Sequence, residues 1–242
     1  MWLAAVQAPV YLYHTHSYDV QLHRLMGRSF PPCRHVVIEH GTVEWFRYIE
    51  GCKRGVVDPN IHYLLSFHEE IVRYLARNGI EPTLSSSPFP FRTTPRNGAA
   101  PDCQGRTLFA IQPLVDDGVI DETDCRQVMA RFLARRPEKH YVVKSHPRCC
   151  ERTVQIVSQA LRQAGCVHEL LSASDGIIET QFPKYRCEEI CSFYSTATML
   201  TAKLHDVPFD TAIPELLEYA TIRMPVQREL IALIAELFQL IP

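Results

Sequence analysis

The sequence predicts an α/β protein with parallel β-sheets, and two observations lead to that expectation. Short apolar runs alternate along the chain with segments whose apolar residues recur at helical spacing, which is typical of parallel sheets. The alternation is interrupted between residues 84 and 106 by a stretch rich in proline, serine and glycine. Because such a composition is typical of linkers, we expect one α/β domain on either side of it.

The N-terminal domain is predicted at residues 1–90 and is short for its class. Its helices are expected between and after the strands, and the last helix should stop at Asn78-Gly79, a usual helix end. The predicted strands lie at residues 10–13, 34–38 and 61–67, and the predicted helices at residues 17–26, 43–49 and 69–77. A linker follows at residues 91–106.

The second α/β domain is predicted at residues 107–222, followed by a C-terminal helix at residues 223–242. That last helix is amphipathic, and Arg228 is the only basic residue on its polar face. This pattern favours packing over the core and leaves binding to a membrane surface as the alternative. The predicted strands of the domain are 107–111, 141–144, 167–171 and 189–194, and its predicted helices are 121–135, a helix that Ser145 caps and Gly165 ends, and 195–204.

Composition limits the classes of function. The 242 residues carry a net charge of −2, which gives no electrostatic reason to expect nucleic acid as a partner. No apolar run approaches the ~20 residues that span a bilayer, and residues 1–10 lack the basic start of a signal peptide. The nine cysteines show no C-x-x-C spacing, so we expect reduced thiols in a cytoplasmic protein and no metal site, even at Cys149-Cys150.

Two predicted strand-to-helix junctions carry residues suited to phosphate. At the first, Lys144 and Ser145 precede His146-Pro147, where the imidazole could donate to a phosphate oxygen and the proline would fix the turn. At the second, Ser195 and Thr196 open a helix whose N–H groups and hydroxyls could hold a phosphate. The alternatives, a histidine of an ordinary turn and an ordinary N-cap, remain open.

A carboxylate follows a strand in each predicted domain. Glu39, in the sequence Glu39-His40-Gly41, could act as a general base if its surroundings are dry. Its competitor is Asp116-Asp117-Gly118, which is also a typical turn sequence. A base in one domain with a histidine and hydroxyls in the other fits a nucleotide-sugar transferase, and the absence of a D-x-D motif favours a metal-independent reaction.

The motifs resemble those of bacterial sialyltransferases of the GT-B type, in particular the polysialyltransferase and lipooligosaccharide sialyltransferase group. That group shares an acidic-Gly motif, an H-P motif and a Ser-Ser/Thr motif in this order. The chain carries Glu39-His40-Gly41, then His146-Pro147 within Tyr141-Val-Val-Lys-Ser-His-Pro-Arg148, then Ser195-Thr196 within Phe193-Tyr-Ser-Thr-Ala-Thr198. The resemblance extends over residues 36–204.

The resemblance implies two Rossmann-like domains with a cleft between them and an inverting, metal-independent transfer of sialic acid from CMP-sialic acid to a glycan hydroxyl of a capsule or lipooligosaccharide. Glu39 would be the base, and His146 would assist the departure of CMP. Lys144, Pro147, Ser195 and Thr196 would bind the nucleotide. No cofactor is implied beyond the donor, and a position at the inner face of the membrane is compatible with it.

Two other functions fit the same sequence. The first is a GT-B transferase with a different donor, such as a Kdo or glycerol-phosphate nucleotide, because those enzymes also place His and Ser/Thr around a phosphate. The second is a catalytically inactive nucleotide-binding relative, which the short N-terminal domain and His40 in an acidic motif position would favour.

Overall fold

A computed structural model of the chain confirms the α/β class and divides the chain into two compact units, Met1–Pro90 and Phe91–Pro242. The structure describes residues 10–14, 33–38, 61–65, 73–74, 76–79, 105–136, 140–148, 151–172 and 176–237.

The described part of the N-terminal unit contains a parallel sheet of three strands. They are β1 (Val10–His14), β2 (Cys33–Ile38) and β3 (Ile61–Leu65), in the order β1-β2-β3. The helical turn before Asn78 ends as predicted, because Gly79 adopts a φ of +67° that favours glycine. The predicted helices 17–26 and 43–49, and Glu39 itself, lie outside the described residues.

The described part of the second unit holds five parallel strands in the order β6-β5-β4-β7-β8. The strands are β4 (Arg106–Ala110), β5 (His140–Lys144), β6 (His168–Leu171), β7 (Glu189–Ser192) and β8 (Phe209–Thr211). The helices described here are α1 (Glu122–Ala134), α2 (Glu151–Gln163), α3 (Ile178–Tyr185), α4 (Thr196–His205), α5 (Ile213–Tyr219) and α6 (Pro225–Leu237).

Helices cover both faces of the five-stranded sheet. Leu108 of β4 belongs to a cluster with Phe182 of α3 and Ala202 of α4. The next residue, Phe109, points to the opposite face and packs edge-on against Phe132 of α1, with ring centroids 5.8 Å apart. Since a strand buried on both faces needs apolar side chains in succession, this arrangement explains the uninterrupted apolar runs of β4 and β5.

Three elements were not predicted from the sequence, and one helix begins later than predicted. Helix α3 has only eight residues with Pro183 inside it, while β8 and α5 are three and seven residues long, so none shows a clear period. Helix α2 begins at Glu151, and Pro147 lies in a turn before it. The prediction that Ser145 caps this helix was therefore wrong.

The C-terminal helix α6 packs its apolar side inward. Six of its apolar side chains are buried, which matches the face that the sequence predicted as far as Leu237. They are Leu230, Ile231, Leu233, Ile234, Ala235 and Leu237. In the part of the chain that the structure describes, no helix is long and apolar enough to cross a membrane.

A network of charged side chains joins α1 to the far half of the sheet. Arg136, whose side chain is 8% exposed, donates to the carboxylates of Glu189 and Asp210. Its neighbour Arg135 donates to Asp210 over 2.7 Å and to Glu215 over 2.6 Å. Burial opposes ionisation of Asp210, but the two guanidinium groups outweigh it and lower the pKa of that carboxyl. The sequence did not indicate this network.

We expect Arg136→Met to lower the free energy of unfolding by about 3–5 kcal/mol, because it removes the guanidinium from the mostly buried Glu189 carboxylate and one of two guanidinium groups from Asp210. The matched control is Arg126→Met within α1, where the pair with Glu122 is 3.9 Å long and exposed and should be worth less than about 1 kcal/mol. Urea denaturation followed by circular dichroism measures both, and equal midpoints would contradict the structural role of the network.

Candidate functional site

A pocket of about 240 Å³ lies at the carboxyl ends of the strands of the second unit. Strands β4 and β7 are neighbours, yet β4 continues to α1 on one face and β7 to α4 on the other. Open α/β sheets bind ligands at such a switch point. The lining residues come from four strand ends or helix starts and are Ala110, Ile111, Lys144, Ser145, His146, Pro147, Gly176, Ile177, Ile178, Glu179, Ser195 and Ala197.

His146 lies in the pocket wall with its tautomer fixed by the backbone. The N–H of Arg148 donates to Nδ1 over 3.1 Å, so the neutral ring carries its proton on Nε2. Burial lowers the pKa of His146, and the nearby charge of Arg148 lowers it further, against a smaller opposing effect of Asp117. At neutral pH the imidazole is therefore a neutral donor through Nε2–H.

Lys144 and Pro147 also line this pocket, and their local roles differ. Lys144 is 5% exposed, and its ammonium group donates to the carbonyl of Ser172 after β6. It therefore ties the end of β5 to the segment that leads towards α3. Pro147 is exposed and forms the turn after His146, as the sequence predicted for its position.

Ser195 and Thr196 lie at the start of α4, but they are placed differently. Ser195 is the N-cap residue and lines the pocket, and its side chain makes no capping hydrogen bond to its own helix. Thr196 is the first helical residue and is not among the residues that line the pocket. The alternative of an ordinary serine N-cap therefore does not hold for Ser195.

The start of α3 contributes a further wall that sequence reasoning missed. Its N-cap residue, Ile177, has no capping side chain, and Gly176 before it adopts a φ of +85°. Glu179, in the first turn, is among the residues that line the pocket. The Asp175-Gly176 dipeptide is a turn signal that could have indicated a helix start here.

The helices that line the pocket differ in their capping from their neighbours. Asp121 accepts from the N–H of Asp124 and so caps α1, and Asp116 accepts from two N–H groups of α2. The N-cap residues of α3 and α4, Ile177 and Ser195, make no side-chain capping hydrogen bond. The positive ends of these two helix dipoles, together with N–H groups that the N-cap side chains leave unbonded, therefore favour an anion in this pocket.

The structure gives Asp116-Asp117-Gly118 a structural role. Asp116 accepts from the N–H groups of Arg152 and Thr153 and from the Thr153 hydroxyl, over 3.2, 3.1 and 2.6 Å. Burial opposes ionisation of Asp116, but these bonds outweigh it and lower the pKa of the carboxyl. Asp117 pairs with Arg148 over 2.8 Å. A carboxylate held in this way is a helix cap and a poor general base.

Among the described residues, no group of three or more His, Cys, Asp or Glu side chains is placed so that it could hold a metal ion. Cys149-Cys150 lies outside them. Burial raises the pKa of Cys125 to about 12 and raises that of Cys191 well above its ordinary value. These two thiols are therefore protonated core residues.

Comparison with family models and with curated proteins gives no match. Among solved structures, accessory secretory protein 1, 2 and 3 of Streptococcus pneumoniae is similar at 16% identity and a TM-score of 0.41, over 97% of this chain and 47% of that one. Shikimate 5-dehydrogenase of Listeria monocytogenes, in complex with shikimate and NAD, is similar at 11% identity and a TM-score of 0.30, over 96% and 97%. The chain spans about half the length of the first structure.

We expect Asp116→Ala to lower the free energy of unfolding by about 1–2 kcal/mol through the loss of the α2 cap. Because the folded-state pKa lies below the ordinary 3.8, this stabilisation is complete above that pH and is lost as pH falls through the folded-state value. Asp117→Ala is the control and should cost less than about 0.5 kcal/mol. Denaturant titrations at pH 7 and pH 3 test this, and an equal cost at both would contradict it.

Proposed function

We propose that the chain is a glycosyltransferase that uses a nucleotide sugar, with CMP-sialic acid as its donor and a glycan hydroxyl as its acceptor. The observation that carries this proposal is the convergence of His146 and Ser195 in one pocket with the N-termini of two helices whose N-cap residues make no capping hydrogen bond. The donor and the acceptor class rest on the resemblance of the sequence motifs to bacterial sialyltransferases.

The pocket supplies what a departing phosphate needs. As the bond from the sugar to the phosphate oxygen breaks, negative charge grows on that oxygen and on the phosphate. His146 donates through Nε2–H, and the N–H groups at the starts of α3 and α4 add positive potential. These interactions are stronger with the departing nucleotide than with the intact donor, so they lower the barrier rather than only tightening binding.

The volume of the pocket limits which parts of the donor it can hold. A volume of about 240 Å³ is below the roughly 300 Å³ of the smaller drug-sized sites. We therefore assign to it the phosphate and the adjoining ribose. The carboxylate of Glu179 is an acceptor for ribose hydroxyls. Glu39, as the base on the acceptor, and an inverting displacement remain proposals from the sequence.

Nucleotide binding tests the proposal directly. CMP should stabilise the protein in a thermal-shift panel with CDP, UDP and GDP, and His146→Gln and Ser195→Ala should each weaken CMP binding about tenfold, since each removes one hydrogen bond to a charged group. The matched control is His168→Gln on β6, which does not line the pocket. Stabilisation by UDP or GDP but not CMP would replace the donor with another one.

Turnover separates an active enzyme from an inactive nucleotide-binding relative. Release of CMP from CMP-sialic acid, measured with and without a glycan acceptor, should fall at least a hundredfold in Glu39→Gln, because a general base contributes about 10²–10⁴-fold. CMP affinity should stay unchanged in this variant. Equal background rates in the wild type, Glu39→Gln and His146→Gln would favour the inactive relative.

A further inference from the structure

We infer that Ser192 and Thr198 are positioning residues that hold Ser195 towards the pocket, an inference that rests on the proposed function. Ser192 ends β7 and Thr198 lies in the first turn of α4, on either side of Ser195. Both are 1% exposed, and neither lines the pocket. They would act on the ligand only through Ser195.

The three residues form a closed ring of hydrogen bonds. The N–H of Ser195 donates to the Ser192 hydroxyl over 3.0 Å, and the hydroxyls of Ser192 and Thr198 are 2.9 Å apart. The Thr198 hydroxyl donates to the Ser195 carbonyl. Because the Thr198 hydroxyl has one proton and donates it to that carbonyl, Ser192 must be the donor between the two hydroxyls. Every proton in the ring is thereby assigned.

The side chain of Ser195 does not make the hydrogen bond that is usual for a serine at an N-cap. A serine at an N-cap usually turns its hydroxyl back onto its own helix. Here both backbone groups of Ser195 are held by buried hydroxyls, and its side chain makes no capping bond. The ring therefore fixes the backbone of Ser195 where that residue lines the pocket, and the side chain is not engaged in capping its own helix.

The turn that carries the ring is fixed on its other sides as well. The Ser192 carbonyl accepts from the N–H of Ala212 over 3.0 Å, and the Phe193 carbonyl accepts from the Thr211 hydroxyl over 3.0 Å. The N–H of Tyr194 donates to the Gln112 side chain over 2.7 Å. The turn that leads into Ser195 is therefore anchored from the ends of β4 and β8 as well as by the ring.

The chain offers a matched pair of variants. Thr201 is fully buried on the same helix, and its hydroxyl donates to the Ala197 carbonyl over 2.6 Å, but it is not part of the ring. We expect Thr198→Val to weaken binding of CMP and of inorganic phosphate about tenfold, roughly the value of one hydrogen bond. Thr201→Val should destabilise the protein comparably and leave both affinities within twofold. Thr198→Ser keeps the hydroxyl and should restore binding.

A double-mutant cycle identifies the route of the effect. If Thr198 acts through Ser195, most of the affinity lost in Thr198→Val disappears when it is added to Ser195→Ala. Additive losses, or equal losses in Thr198→Val and Thr201→Val, would overturn the inference and leave the proposed function intact. If phosphate binds and CMP does not, the proposed donor is wrong. The phosphate affinities of Thr198→Val and Thr201→Val then still test the role of the ring. If the wild type binds neither, both the function and the inference fall.

Discussion

The central position of β4 is the constraint on which the second unit depends. It is the first strand of that sheet in the chain, yet it pairs with β5 on one side and β7 on the other. Its interior residues Leu108 and Phe109 are fully buried on opposite faces. Because the chain leaves β4 towards one face and β7 towards the other, the two connections diverge and leave space at the strand ends. The pocket occupies that space.

The polar groups of this unit are distributed unequally between structure and site. At the start of β7 and the end of α1, Arg135 and Arg136 form ion pairs with their carboxylates. Asp121 likewise accepts from an N–H group at the start of α1, and Asp116 accepts from an N–H group at the start of α2. The N-cap residues of α3 and α4 make no such bond, and these are the two helices whose starts line the pocket. Donors are therefore concentrated where an anion would bind.

Much of the fold could be predicted from local patterns. The strands β4 and β5 and the helix α1 have strong apolar runs or periodicity and a clear cap, and they lie within a residue or two of their predicted positions. Helix α3 could not be predicted, because eight residues containing Pro183 give no period. With α3 missing, the contribution of Gly176 and Glu179 to the pocket was missing too.

The sequence by itself determined the α/β class and indicated His146 and Ser195 as partners in one site, because residue type and position after a strand are local properties. Only the tertiary structure decided between equivalent local patterns. Asp116 became a cap because the start of α2 reaches its carboxylate. Ser195 stands at an N-cap without making a capping bond, while Ser192 and Thr198 hold its backbone. Such outcomes depend on which groups meet in space, and a lone motif carries no information about that.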